Sequence, residues 1–282
     1  MLIFQKQEDL KHHLQSILTS KTSVGFVPTM GALHQGHLSL IIASLKENDI
    51  TVISIFVNPT QFNNKKDLEK YPRVLKEDIK KLSTVSDKII IYTPAVNDVY
   101  EHKTVAESFD FDGLEFQMEG KHRPGHFDGV GTVVKKLFGI VNPKNAYFGE
   151  KDFQQLLIIR KLVQKYNINV TVIEQPIFRE TNGLAMSSRN ERLTNDQREK
   201  ASLIFKTLKI AKEKFRTKSA NEVNKWAETS FKLQTDLKLD YFQISDEITL
   251  LPCIRKNKTK KYRAFIAVFI NEIRLIDTIS LN

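Results

Sequence analysis

The feature that most constrains this chain is a series of short, nearly continuous apolar runs separated by segments with a helical apolar face. The runs span residues 24–29, 51–57, 88–92, 146–148 and 170–173, and the helical segments span residues 38–45, 67–82, 129–141 and 153–166. Strands buried on both faces read as continuous apolar runs, and parallel strands need crossover connections that are usually helical. The sequence therefore predicts an α/β fold with a doubly wound, mostly parallel sheet.

The pattern changes after about residue 176. Two charged amphipathic helices are predicted at 195–215 and 220–235, followed by strands at 239–244, 262–270 and 272–276. A chain of 282 residues is long for one compact core and suits two. We therefore expect a larger α/β domain over 1–176 and a smaller α+β domain over 177–282.

The composition is that of a globular protein, with 41% hydrophobic and 27% charged residues. No uncharged apolar run approaches the ~18 residues of a membrane span. Charges near the N-terminus interrupt any apolar core of a secretion signal, so a cytoplasmic location without a membrane partner is expected. Cys253 is the single cysteine, which excludes an internal disulfide and a cysteine-rich metal site. It is interpreted as a small, semi-buried apolar residue.

The formal net charge of +10 comes from 43 Lys and Arg against 33 Asp and Glu. It is compatible with nucleic-acid binding, with small anionic substrates or with a lysine-rich surface. The densest basic run, residues 256–261, lacks the interleaved aromatic residues of a nucleic-acid-binding module, and we interpret it as a solvated loop. No nucleic-acid partner is expected.

The most informative segment reads PTMGALHQGH from Pro28 to His37, between a predicted strand and a predicted helix. Gly31 and Gly36 allow a ligand to approach the backbone closely, and a helix N-terminus favours phosphate. His34 and His37 can donate hydrogen bonds to phosphate oxygens, more strongly when protonated. A glycine-containing turn with two incidental histidines is the alternative.

A second segment, Ser187-Ser188-Arg189, combines two hydroxyl groups with a guanidinium on a short loop. Such a loop can bind a triphosphate, although alone it equally fits a capped turn before the next helix. The pairing of His-x-Gly-His with a Ser-Ser-Arg loop about 150 residues later resembles the two signatures of the nucleotidyltransferase superfamily.

Three further segments narrow the resemblance. They read SIFVNPTQF at 54–62, RPGHFDGV at 123–130 and FGEKDFQQ at 148–155. Together with VPTMGALH at 27–34 and LAMSSRN at 184–190, they resemble the motifs of the pantothenate synthetase family, in the order of that family. The last ~90 residues carry a weaker resemblance.

The resemblance implies a Rossmann-like nucleotidyltransferase domain and a smaller lid domain that carries the Ser-Ser-Arg loop. It also implies an activity, the ATP-dependent condensation of (R)-pantoate with β-alanine. Pantoate would first be adenylated with release of pyrophosphate, and the amine of β-alanine would then displace AMP. Such chemistry needs positioning and charge neutralisation rather than a covalent nucleophile on the enzyme.

The resemblance also implies roles for individual residues. His34, His37, Lys151, Ser187, Ser188 and Arg189 would act in catalysis, with His37 at the position of the proton donor of the family. The residues implied in ATP binding are Met30, Gly31, Ala32, Leu33, His34, Gln35, Gly36, His37, Gly149, Glu150, Lys151, Asp152, Phe178, Met186, Ser187, Ser188 and Arg189. Phe178 matches an adenine-contacting position, through its ring or its backbone.

Gln61 and Gln155 match the pantoate-binding glutamines, Gln61 is also implied in β-alanine binding, and Asn58 is a supporting residue. Lys151 could instead be a surface lysine, and Gln155 an exposed helical residue. His126 is interpreted as shaping its loop. His12, His13, His102 and His122 are interpreted as incidental.

Mg²⁺ would be carried by the ATP phosphates and water, with no metal site made of protein ligands. The sequence leaves open whether Asp152 contacts the ion. A homodimer is implied by the resemblance alone. Another small-molecule adenylyl- or cytidylyltransferase of the same superfamily is the alternative function, and it would not need Gln61 and Gln155.

Overall fold

The computed structural model describes residues 1–101 and 103–282. His102, one of the histidines interpreted as incidental, lies outside the described residues. Within those ranges, no helix combines the length and the apolar character needed to cross a membrane.

The larger sheet has six strands in the order β1-β4-β3-β2-β5-β6, and every neighbouring pair is parallel. The strands are β1 (Leu2–Phe4), β2 (Val24–Thr29), β3 (Ile50–Ile55), β4 (Ile90–Tyr92), β5 (Asn145–Gly149) and β6 (Thr171–Gln175). The chain builds outwards from β2 on one side through β3 and on the other through β5. The carboxyl ends of β2 and β5 thus flank a topological switch point, where open α/β sheets bind ligands.

Helices cover both faces of this sheet, as the apolar runs predicted. They are α1 (Gln7–Ile17), α2 (Gln35–Glu47), α3 (Lys65–Lys70), α4 (Leu75–Ser83), α5 (Val96–Tyr100), α6 (Met118–His122), α7 (His126–Val141) and α8 (Phe153–Lys165). Adjacent strand residues alternate between two cores: Phe26 packs with residues of α1, α7 and α8, whereas Val27 packs with residues of α2 and α4. The doubly wound α/β fold is therefore confirmed.

A separate apolar core gathers residues from Leu184 to Leu281. It is built from α9 (Asn195–Ala201), α10 (Leu203–Thr217), α11 (Ala220–Lys232), β7 (Lys238–Asp246), β8 (Tyr262–Ile270) and β9 (Ile273–Ser280). The three strands form an antiparallel sheet in the order β7-β8-β9. The smaller α+β unit is therefore present, while its boundary at 176/177 stays a prediction.

Two predicted helices are interrupted. Residues 67–82 form α3 and α4 rather than one helix, because Pro72 disfavours helical backbone at Tyr71, which adopts an extended conformation with ψ of 124°. Residues 195–215 are divided between α9 and α10 at Ser202. Both interruptions correct the sequence prediction.

A buried polar seam joins the two units. The Glu119 carboxylate of α6 pairs bidentately with Arg274 of β9, at 2.6 and 2.9 Å, and accepts a hydrogen bond from the Tyr241 hydroxyl at 2.8 Å. Gln154 of α8 accepts a hydrogen bond from the Glu119 backbone N–H at 2.9 Å. The seam fixes the antiparallel sheet against the first turn of α6.

Candidate active site

A cleft of about 250 Å³ opens at the switch point of the larger sheet. By this measure one water occupies about 10–15 Å³, so the cleft has room for a small-molecule ligand. Fifteen of the predicted site residues line it: Met30, His34, Gly36, His37, Asn58, Gln61, Gly149, Lys151, Asp152, Gln155, Phe178, Met186, Ser187, Ser188 and Arg189. Arg123 and His126 line it as well, so all five motifs, which are far apart in sequence, meet at one place.

The loop after β2 turns sharply through left-handed backbone at Gly31 and Ala32, with φ of 80° and 49°. The carboxylate of Asp78, from α4, accepts the backbone N–H groups of Ala32 and Leu33 at 2.9 and 2.6 Å. This contact holds the loop so that α2 begins at Gln35 with its N-terminus in the cleft wall. No local sequence pattern indicates this role of Asp78.

His34 is the N-cap of α2, and its Nδ1 accepts the backbone N–H of Gly36 at 3.1 Å. The Nδ1 of His37 accepts the backbone N–H of His34 at 3.3 Å, and the two rings lie 4.0 Å apart. Since Nδ1 is an acceptor in both rings, each neutral ring carries its proton on Nε2. Both histidines can therefore donate one hydrogen bond each towards a ligand.

Burial, with a smaller effect of His37, lowers the pKa of His34 to about 2. Burial and the Lys151 ammonium lower the pKa of His37 to about 4. Both imidazoles are therefore neutral near pH 7 in the ligand-free protein. The rings can therefore donate to phosphate as the sequence predicts, but as neutral donors rather than as the stronger protonated ones.

The Ser-Ser-Arg loop lines the same cleft next to the histidine loop. The Ser187 hydroxyl accepts the backbone N–H of Arg189 at 3.3 Å, which leaves its own proton available to a ligand. The buried Ser188 hydroxyl donates to the Ala32 carbonyl at 3.0 Å and so ties this loop to the histidine loop. Its proton is therefore bonded to the backbone in the ligand-free protein, and the phosphate contact predicted for Ser188 stays a prediction.

The guanidinium of Arg189 pairs with Asp67 of α3 at 2.8 Å and lies near the ring of Tyr71. Although burial acts in the opposite direction, the hydrogen bond to Asp67 raises the pKa of Arg189 above its ordinary value. Lys151, just after β5, also lines the cleft, and its ammonium lies 3.4 Å from the Asp152 carboxylate. Two cations, each with one acidic neighbour, thus face the cleft.

A short 3₁₀ turn, Pro59–Gln61, follows β3 and presents Gln61. The buried Asn58 amide donates to the Gln61 side-chain oxygen at 2.9 Å and to the Gly129 carbonyl at 3.1 Å. The Gln61 amide nitrogen is therefore the group left to bind a ligand. Asn58 thus orients Gln61, while the supporting role in substrate binding that the sequence predicts for Asn58 stays a prediction.

Gln155 lies in the first turn of α8 and lines the same cleft. Five residues implied in ATP binding, namely Gly31, Ala32, Leu33, Gln35 and Glu150, do not line it. Ala32 and Leu33 are buried beneath the loop, Gln35 is exposed, and Glu150 lies 3.5 Å from Arg263. The ligand roles implied for all these residues stay predictions.

Two lining residues extend the site beyond the predicted set. His126 Nδ1 donates to the Gln61 carbonyl at 2.8 Å, and the Arg123 guanidinium contacts the same carbonyl at 3.2 Å. This geometry suits the loop-shaping interpretation of His126. Arg123 begins the motif at 123–130, but its position in the cleft becomes visible only in the folded structure.

Comparisons with known proteins agree with this site. The family whose model matches residues 2–280 is described as Pantoate-beta-alanine ligase. A protein of Flavobacterium psychrophilum named pantothenate synthetase is 65% identical over 281 residues, with 100% of both chains covered. The crystal structure of pantothenate synthetase from Thermus thermophilus superposes with a TM-score of 0.91 at 36% identity, covering 100% of this chain and 99% of that chain.

A third similar protein is the pantoate-beta-alanine ligase of Francisella tularensis, whose crystal structure is described as a complex with beta-gamma ATP and beta-alanine. It superposes with a TM-score of 0.80 at 36% identity, over 100% of this chain and 98% of that chain. The similarity therefore extends across both units of the fold.

Proposed function

The chain belongs to the pantoate–β-alanine ligase family, and from this premise we propose that it condenses (R)-pantoate with β-alanine at the expense of ATP. The pantoate carboxylate attacks the α-phosphorus of ATP, pyrophosphate leaves, and pantoyl adenylate forms. The amine of β-alanine then attacks the acyl carbon, and AMP leaves with the pair of electrons of the broken acyl–oxygen bond. The product is pantothenate, a precursor of coenzyme A.

One observation carries this proposal: residues from all five motifs line one cleft at the switch point of the parallel sheet. ATP extends its phosphates across the N-terminus of α2, where backbone N–H groups and the Nε2–H groups of His34 and His37 can donate. Lys151 and Arg189 neutralise the charge that develops on the phosphates, and Ser187 donates its hydroxyl proton.

Pantoate binds beside the phosphates, between Gln61 and Gln155. The amide nitrogen of Gln61 is turned towards it because the amide oxygen is already bonded to Asn58 at 2.9 Å. Amide groups of this kind suit the hydroxyl and carboxylate oxygens of pantoate. Mg²⁺ enters as part of the MgATP substrate, on phosphate oxygens and water.

The remaining parts of the proposal concern the whole protein. Residues 177–282 form a lid that carries the Ser-Ser-Arg loop, the active form is a homodimer, and the enzyme acts in the cytoplasm. The alternative of another adenylyl- or cytidylyltransferase is not favoured, because the family match extends over residues 2–280.

An AMP-release assay in which each substrate is omitted in turn tests the function. We expect AMP only when ATP, pantoate and β-alanine are all present. We also expect exchange of labelled pyrophosphate into ATP that needs pantoate but no β-alanine, because the adenylate forms first. Absence of both signals, with nucleotidyl transfer to another acceptor, would overturn the proposal.

A further inference from the structure

Arg123 is a cation of the cleft whose hydrogen-bonding capacity is mostly unused. Its Nη2 donates to the Gln61 carbonyl at 3.2 Å, and its Nη1 lies 3.2 Å from Nε2 of His126. Nδ1 of His126 donates to the same carbonyl, so the neutral ring accepts at Nε2. A guanidinium has five N–H groups, and within residues 1–101 and 103–282 the other three have no hydrogen-bond acceptor.

The charge of Arg123 also lacks a counter-ion of its own. Its nearest carboxylate in the described structure is that of Glu119, at 4.0 Å, and both oxygens of Glu119 are bound by Arg274 at 2.6 and 2.9 Å. Burial lowers the pKa of Arg123, and Glu119 only partly opposes that effect. Lys151 and Arg189, in contrast, each have a nearby carboxylate, from Asp152 and Asp67.

A second cavity of about 40 Å³ adjoins the main cleft beside Arg123. The two cavities share five lining residues, which are Arg123, His126, Lys151, Asp152 and Gln155. The guanidinium therefore faces a small side pocket that begins at the proposed pantoate position. The three acidic residues that line this pocket each have a basic partner, since Glu119 pairs with Arg274, Asp152 with Lys151 and Asp277 with Arg179. Arg123, which is 25% exposed, is therefore a partly buried cation with free N–H groups, and a guanidinium can bind a carboxylate through two hydrogen bonds.

The reaction supplies one carboxylate that stays unreacted. The carboxylate of pantoate is consumed by adenylation, whereas that of β-alanine persists from substrate to product. We propose that Arg123 binds the carboxylate of β-alanine in the side pocket and thereby selects an amino acid over a simple amine. This inference rests on the proposed function, and it assigns Lys151 and Arg189 to phosphate and Arg123 to the second substrate.

Arg123→Gln is the test variant, because glutamine keeps polarity and removes the charge. His126 still donates to the Gln61 carbonyl, so the pantoate site should keep its shape. We expect pantoate-dependent pyrophosphate exchange within about twofold of wild type. The kcat/KM for β-alanine should fall about 10- to 100-fold, the usual consequence of losing hydrogen bonds to a charged group. Arg123→Lys should recover part of this loss.

Propylamine provides a readout that a purely structural role would not move. It offers the same three-carbon amine without a carboxylate, so wild type should strongly prefer β-alanine. In Arg123→Gln the ratio of kcat/KM values for the two amines should collapse by the same 10- to 100-fold factor. Arg160→Gln is the matched control, since Arg160 forms an exposed pair with Glu174 outside the cleft and should leave the ratio unchanged.

Two results would overturn the inference. An unchanged ratio of kcat/KM values for β-alanine and propylamine in Arg123→Gln would show that Arg123 does not bind the carboxylate. An equal loss in pyrophosphate exchange and in overall ligation would assign Arg123 to pantoate or to Gln61 instead. A wild-type protein without pantoate-dependent exchange would be a different failure, because it would overturn the proposed function itself.

Discussion

At Lys151, a role in catalysis by charge neutralisation can be distinguished experimentally from a role in the stability of the fold. The Lys151 side chain is mostly buried, at 18% exposure, but it lines the cleft, and its ammonium contacts the Asp152 carboxylate at 3.4 Å. We expect Lys151→Ala to slow pantoate-dependent pyrophosphate exchange about 100-fold or more, the typical effect of removing one donor from a developing charge. The free energy of unfolding, measured in urea, should change by less than about 1 kcal/mol.

Lys161→Ala is the control for this variant. Lys161 lies on α8 and pairs with Asp112 at 3.0 Å, away from the cleft, so exchange should stay at the wild-type rate. If Lys151→Ala instead lost stability and exchange in parallel, Lys151 would be a structural lysine.

His126 makes stability depend on pH. Burial lowers its pKa to about 3, whereas in the unfolded chain it titrates near 6.5. The unfolded state therefore binds more protons below pH 6.5, and the free energy of unfolding falls as the pH falls through that value. The loss from this one residue is about 2 kcal/mol between pH 6.5 and pH 5.

His126→Asn should flatten this dependence, since the asparagine amide can still donate to the Gln61 carbonyl but does not titrate. Urea unfolding at pH 7, 6 and 5 measures the slope, which should decrease by about one proton. His12→Asn, at an exposed position of α1, should leave the slope as it is in wild type. An unchanged slope in the His126 variant would mean that the ring is not buried neutral in solution.

At the scale of elements, the packing of α7 against the turn that carries Gln61 depends on Gly129. A Cβ at this position would lie 2.5 Å from the Thr60 carbonyl oxygen and 2.7 Å from Cα of Gln61. Gly129→Ala should therefore push the helix and turn apart, destabilise the protein by about 1–3 kcal/mol and raise the KM for pantoate. Thermal unfolding and initial-rate kinetics measure the two effects.

Gly139 provides the matched control on the same helix. A Cβ there would meet nothing within 4 Å, and the residue is exposed. Gly139→Ala should stabilise the protein by about 0.5–1 kcal/mol through the lower flexibility of the unfolded chain and leave the KM unchanged. A Gly129 variant that behaved in the same way would contradict the close contact.

Elements with long apolar runs could be predicted from the sequence, and those defined by tertiary contact could not. Val24–Thr29 and Tyr262–Ile270 were predicted with their observed bounds, because burial on both faces leaves a continuous apolar signal. β1 was missed, since it has three residues and lies at the edge of the sheet, with Leu2 and Ile3 half exposed. The end of α3 before Pro72 could have been predicted from the sequence, because a residue that precedes proline, here Tyr71, disfavours helical backbone.

In the candidate site too, features set by local sequence could be predicted, whereas features set by tertiary contacts could not. The motifs indicated where His34 and His37 would lie, because their spacing and the flanking glycines are local properties. Their neutral state depends on burial and on Lys151, more than a hundred residues away in sequence. The roles of Asp78 and Arg123 likewise arise from contacts with residues 45 and 62 positions away, which no local pattern encodes.

For the whole molecule, the Glu119–Arg274 pair decides how the antiparallel sheet sits beside the cleft. Its side chains are 10% and 19% exposed, and the same Glu119 lies at the other end of α6 from the Arg123 loop. Removing one partner of a buried ion pair leaves the other charge uncompensated. We therefore expect Arg274→Met to lower the free energy of unfolding by about 3–5 kcal/mol.

The Glu119→Gln, Arg274→Met double variant should recover part of that loss, because the Glu119 charge is removed together with its partner and the Tyr241 hydroxyl can still donate to glutamine. The recovery is partial because Asp240, which Arg274 also binds at 2.9 and 3.0 Å, loses that contact. Urea unfolding of both single variants and the double variant gives the coupling free energy, which should exceed about 1 kcal/mol. The exposed Arg160–Glu174 pair, treated identically, should show a much smaller coupling. Additive losses at the seam would mean that apolar packing, rather than this ion pair, holds the two units together.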